Sequence, residues 1–124
     1  MQTFNFDPNG GAIFAEVRCG FGNPGGYVLS LWEKDSDDKA MPDVEGDFVN
    51  AGDDDHQLPT PASANDGRKV EAFVTVSPPP GNKQYSATLH ITQDGNVLGD
   101  VTVSGQTDQP SVTTDLFAKL ARSA

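Results

Sequence analysis

Cysteine is almost missing from this chain, basic residues are scarce, and no long apolar run exists. Each shortage removes a class of function. A lone cysteine, Cys19, cannot close a disulfide within the chain. It sits in an alternating apolar pattern with no activating base nearby, so it reads as a small buried hydrophobe and not as a reactive thiol. Eight Lys and Arg against eighteen Asp and Glu leave a formal charge of −10. No basic stripe is present to displace counterions from phosphates, which argues against nucleic acid, and against anionic membrane surfaces for the same reason. No segment approaches the ~18 consecutive apolar residues of a membrane span. The opening stretch, MQTFNFDPNGG, has neither a basic n-region nor an apolar h-region. A cytoplasmic location, or export without a conventional signal peptide, is the expectation.

Catalytic signatures are equally thin. Neither GxSxG nor a local Ser–His arrangement occurs. The two histidines, His56 and His90, show no HxH or HExxH spacing, which leaves little case for zinc. Gly20-Phe21-Gly22-Asn23-Pro24-Gly25-Gly26 is rich in glycine but contains proline and joins two strands, so it is a turn and not a phosphate loop. The chain is therefore expected not to be an enzyme. A small hydrolase using loop carboxylates is the weakest of three readings, because nothing in the pattern selects an acid–base pair.

What the chain has is an unevenly placed acidic charge. Residues 33 to 55, EKDSDDKAMPDVEGDFVNAGDDD, hold ten acids and two bases, a formal charge of −8, while the remaining 101 residues carry only −2. Thirteen glycines and nine prolines in 124 residues indicate many turns and short elements, and the length suits a single domain over 1–124.

Alternation points to strands throughout. Ile13, Ala15, Val17 and Cys19 share one face, as do Tyr27, Leu29 and Leu31. Val70, Ala72, Val74 and Val76 make the clearest strand, ended by Ser77-Pro78-Pro79-Pro80-Gly81 because proline has no backbone donor. Tyr85, Ala87, Leu89 and Ile91 face one way, followed by Val97, Gly99, Val101 and Val103. A two-residue Asp94-Gly95 turn would set Leu89 against Asp100. A three-residue Gln93-Asp94-Gly95 loop is expected instead, pairing Ile91 with Val97, Ala87 with Val101 and Tyr85 with Val103, and turning Leu98 outward. Shorter strands are expected at Gln2–Phe6 and around Phe48-Val49. For Ser111 to Arg122 both periods fit, and the Leu116, Phe117, Leu120, Ala121 stripe behind Thr114 and Asp115 favours a short helix.

About seven short strands imply an all-β, antiparallel β-sandwich, immunoglobulin-like or Greek key, with a long acidic loop region at 33–67. The Val70–Val103 half resembles an immunoglobulin-like sandwich, though the Cys–Trp–Cys framework is absent.

Candidate binding residues follow from the acids and one aromatic. Asp35, Asp37 and Asp38 come directly after the Tyr27–Trp32 strand, and Asp53, Asp54, Asp55 and His56 follow Gly52. Calcium needs about six to eight oxygens, which two Asp-rich loops at one end of a sandwich could supply together; Asp35, Asp37, Asp53 and Asp55 would be the ligands. The plain alternative is solvated loop charge. Trp32 lies on the parity opposite Leu29 and Leu31, facing outward beside the acids, a position that suits a carbohydrate or a peptide, or packing under the loop. The leading expectation is a non-catalytic module that binds a protein partner through the acidic region, steered by charge. A calcium-dependent ligand-binding domain, with carbohydrate as the candidate ligand, is the alternative.

Overall fold

The computed structural model describes residues 1–48, 55–78, 81 and 83–123. Asp53, Asp54, Val49, Pro79 and Pro80 lie outside the described residues. Nine strands occur among the described residues: β1 Gln2–Phe6, β2 Ile13–Cys19, β3 Gly25–Trp32, β4 Val44–Asp47, β5 Asp55–Gln57, β6 Lys69–Val76, β7 Gln84–Gln93, β8 Asn96–Gln106 and β9 Val112–Arg122. They form two sheets, ordered β1-β9-β6-β3-β4 and β5-β2-β7-β8. The expected all-β sandwich is thus the architecture, with two more strands than the turn signals indicated. All neighbours pair antiparallel except β1 with β9, which run parallel from Gln2 opposite Ala118 to Phe6 opposite Arg122. The immunoglobulin arrangement keeps its first two strands in one sheet and its last two in the other. Here both of those pairs are divided between the layers.

The core forms where the alternating faces meet. Leu29, Leu31, Val70, Val74, Leu116 and Leu120 come from one layer, and Ile13, Val17, Leu89 and Ile91 from the other, all with at most 1% exposure. Fully burying one valine side chain contributes roughly 1.5–3 kcal/mol, so the four inward-facing apolar residues of β6, Val70, Ala72, Val74 and Val76, all inaccessible, make that central strand a main source of stability. Cys19 packs against this core and is partly buried, and loss of water around it pushes its thiol pKa up, as suits an inert side chain.

Three expectations are corrected. Residues 112–122 are a strand and not a helix. Paired with β6 from Val76↔Val112 to Lys69↔Lys119, β9 buries Leu116, Ala118 and Leu120 in the core and turns Phe117 out. The helical stripe placed Phe117 beside Leu120, but ladder bonds on both sides outweigh the helix propensity of Ala, Leu and Lys. The strand looked for at Phe48-Val49 is Val44–Asp47, with Phe48 directly after it.

The third correction concerns the β7–β8 hairpin. Its turn is the two-residue Asp94-Gly95, both with positive φ (53° and 77°), and Gln93 pairs with Asn96. Such a turn matches the natural twist of a hairpin. The conflict it creates is resolved at Leu98, an extra residue between the pairs Thr92↔Val97 and Ile91↔Gly99. Beyond this bulge Leu89 faces Val101 and Ala87 faces Val103, so apolar meets apolar after all. The bulge also exchanges two orientations: Val97 is 58% exposed, while Leu98 packs against the core. The ring of Phe4 occupies the space that a side chain on Gly99 would need, so β1 seats itself on β8 only because that position is glycine.

The middle segment is less irregular than its composition implied. It supplies β4 and β5, the outermost strands on one side of each sheet, and a 3₁₀ turn at Ala62–Asn65. Leu58 and Ala62 plug it into the core.

Candidate binding site

The alternation that buries one face of β6 and β9 sends Lys69, Glu71, Phe73 and Thr75, and Thr113, Asp115, Phe117 and Lys119, to the outer face of the five-stranded sheet. Register then sets rows across the strands. Glu45, Val28, Phe73 and Asp115 form one row; Ser30, Glu71 and Phe117 form the next; Trp32, Lys69 and Lys119 form a third. Phe73 is 45% exposed and Phe117 37% exposed, although each lies in the middle of a paired strand. They occupy one diagonal of a four-residue square whose other diagonal is Glu71 and Asp115.

The two carboxyls of that square interact. Removal of water, then a hydrogen bond to Glu71, then the charge of Glu71, push the Asp115 pKa up to about 6. Below that pH Asp115 holds a proton beside the Glu71 carboxyl. Glu71 is held from its other side by the indole of Trp32, whose Nε1 donates to Oε1 at 2.9 Å. Lys39 lies over the Trp32 ring, 4.4 Å from its centroid, and donates to Asp43 Oδ1 at 2.6 Å. Asp43 also accepts from the Ser30 hydroxyl at 2.9 Å, and these donors hold its carboxyl below the usual range. One polar chain therefore runs across the sheet from Asp115 through Glu71, Trp32 and Lys39 to Asp43.

The residues singled out from sequence fall in separate places. Trp32 does face outward beside the acids, partly buried under Lys39. Asp35, Asp37 and Asp38 are exposed in a tight turn beyond the end of β3, where Glu33 N–H donates to Asp38 O and Asp35 adopts φ 52°. Asp55 lies in the other sheet, opposite Glu16 near the middle of β2. The chain reaches it after β4, whose last residue, Asp47, pairs with Gly26 at the start of β3. The turn holding Asp35, Asp37 and Asp38 thus follows the end of β3 in the five-stranded sheet, whereas Asp55 belongs to the four-stranded sheet. The proposed calcium ligands Asp35 and Asp37 are not brought together with Asp55. Among the described residues, no group of three or more His, Cys, Asp or Glu side chains is arranged to hold a metal ion.

His56, one of the candidate binding residues, is partly buried. It points inward from β5, hydrogen-bonded to Tyr27 Oη at 2.6 Å, and ties the two layers together along the β4–β5 side. His90 lies on the outer face of the four-stranded sheet as its parity required, with Nδ1 2.5 Å from Asp100 Oδ1. It belongs to a transverse row of Asp55, Glu16, His90 and Asp100, in which Glu16 is paired with Arg18.

Glu71, Phe73, Asp115 and Phe117 were not singled out from sequence. One signal was available: a phenylalanine on the polar parity of the clearest strand. Phe117 was hidden by the helical reading of its segment. Comparison with known proteins finds no family model that matches this chain, and no curated protein or solved structure similar to it.

Proposed function

We propose that this chain is a non-catalytic binding module that recognises a basic protein partner, and that the outer face of the five-stranded sheet is its contact surface. One observation carries the reading: exposed Phe73 and Phe117 and partly exposed Val28 sit in the middle of that sheet, bordered by carboxyls from the sheet (Glu71, Asp115) and from the acidic middle segment (Asp43, Glu45). Apolar side chains at the centre of an interface contribute area, and charges at its rim steer the approach and reject wrong partners. The acidic segment thus acts as the rim of a face rather than as a separate flap.

The test is titration of the protein with a cationic amphipathic peptide, read by calorimetry at 50 and 500 mM sodium chloride. Affinity is expected to fall by at least about tenfold across that range, because rim charges are screened within a Debye length. Binding that is indifferent to salt, or no binding at 50 mM, contradicts the reading.

A further inference from the structure

We propose that the square of Phe73, Phe117, Glu71 and Asp115 is a seat for an arginine side chain of the basic partner. The inference rests on the reading above and narrows it to one kind of side chain at one place. It starts from the alternation of rings and carboxyls around the square. Phe73 stands opposite Asp115, and Glu71 stands opposite Phe117, across the same pair of strands. Neighbouring strands lie about 4.8 Å apart, so all four side chains rise around one small patch of surface. A guanidinium has two weakly hydrated faces, which stack on aromatic rings, and an edge of five N–H donors, which matches carboxylate oxygens. Such a group can meet both kinds of neighbour at once. A lysine ammonium is a compact, strongly hydrated point charge with no flat face to offer, so the same patch serves it less well.

The surroundings favour an incoming cation. Glu45 lies beyond Val28 in the row of Phe73, and Asp43 is near Ser30. The cations of this face stand to one side: Lys69 and Lys119 in the Trp32 row, and Lys39 already bonded to Asp43. Facing Asp115, β6 presents Glu71 and, a row further, Lys69; β9 itself presents Lys119; β3 presents no charge in these rows; and Met1, before β1, shares a surface depression with Phe117 and Lys69. Trp32 holds one oxygen of Glu71 by its indole N–H, which fixes the orientation of that carboxylate towards its neighbours. Trp32 is thus a positioning residue for the seat.

Occupation has a defined proton balance. Asp115 holds a proton below about pH 6. An arriving guanidinium carries its own charge and donates to both carboxylates, so that proton leaves to solvent. Affinity is therefore expected to rise about tenfold between pH 5 and pH 7, the change in the ionised fraction of a group titrating near the middle of that range.

The experiment uses the whole chain, two amidated peptides (Ac-SRSRSRS and Ac-SKSKSKS), and side-chain NMR of the carboxyl and ring signals at 20 mM salt. The arginine peptide is expected to shift the signals of Phe73, Phe117, Glu71 and Asp115, and to bind at least about fivefold more tightly than its lysine counterpart, as stacking plus bidentate bonding implies. Asp115→Asn and Glu71→Gln, both near-isosteric at a surface, should each weaken it about tenfold, with the amide spectrum checking that the fold is kept. Equal binding of both peptides, with shifts confined to Asp35–Asp38, overturns the seat but leaves a basic partner in place. Binding of neither peptide overturns both readings. Shifts of the same four residues by xylohexaose, with none by the arginine peptide, would assign the square to glycans and also overturn the inference.

Discussion

At Asp115 a single carboxyl ties folding to proton concentration. Its ordinary value of 3.8 describes the unfolded chain, and the folded value is about 6. Between those pH values the folded protein keeps a proton that the unfolded chain has released. Stability from this group is therefore complete below about pH 4 and is lost as pH rises through about 6. The carboxyl is largely exposed, so solvent screening keeps the effect under about 1 kcal/mol. Urea unfolding of wild type and Asp115→Asn across pH 4–7 should show the variant gaining stability relative to wild type as pH rises; a constant difference would remove the Asp115 proton from the account. Tyr27 offers a second test. Its hydroxyl meets the His56 ring between the layers, so Tyr27→Phe should cost about 1 kcal/mol in chemical denaturation by leaving a partly buried nitrogen unpaired. No loss would mean that water replaces the phenol there.

The strands separate what sequence makes plain from what it conceals. β9 gives the sharpest contrast. A strand buries Leu120 and exposes Phe117, whereas a helix would place both in one stripe. Leu120→Ala is expected to cost ~2–5 kcal/mol by leaving a cavity, and Phe117→Ala under about 1 kcal/mol. Comparable losses from the two would restore the helical reading. Inward parity was legible wherever four apolar residues alternated without interruption, as at Val70–Val76 and Ile13–Cys19, because water sorts each side chain separately. The β7–β8 register was not, because it is fixed by an inserted residue. Pattern reasoning counts pairs outward from the turn, and Leu98 breaks that count for the sake of the left-handed Asp94-Gly95 turn. The proposed binding face was only half visible for a related reason: Glu71 and Phe73 were on the outer parity of β6, but Asp115 and Phe117, each 44 residues further on, join them through a strand whose type was misread.

For the molecule as a whole, order among strands is set by contacts distant in sequence. β1 pairs with β9, and the acidic middle segment turns out to supply an outer strand to each layer, which no local pattern announces. Among the described residues, the acids of this segment are likewise distributed over both sheets and a turn, and no three of them are grouped to hold an ion. The first and last strands of the chain bear on a property unrelated to recognition. β1 and β9 lie side by side and point the same way, and Ser123 N–H closes the zipper on Phe6 O. Tension applied to residue 1 and residue 123 must slide the two strands past each other and break all their bonds together. Tension applied at Asp7 and Ser123, which share one end of the pair, peels the bonds one by one. Single-molecule pulling should find the first geometry distinctly stronger, and equal rupture forces would place the mechanical weak point elsewhere in the sandwich. A chain built this way is expected to resist stretching along its length better than the modest number of bonds in its outermost strand would suggest.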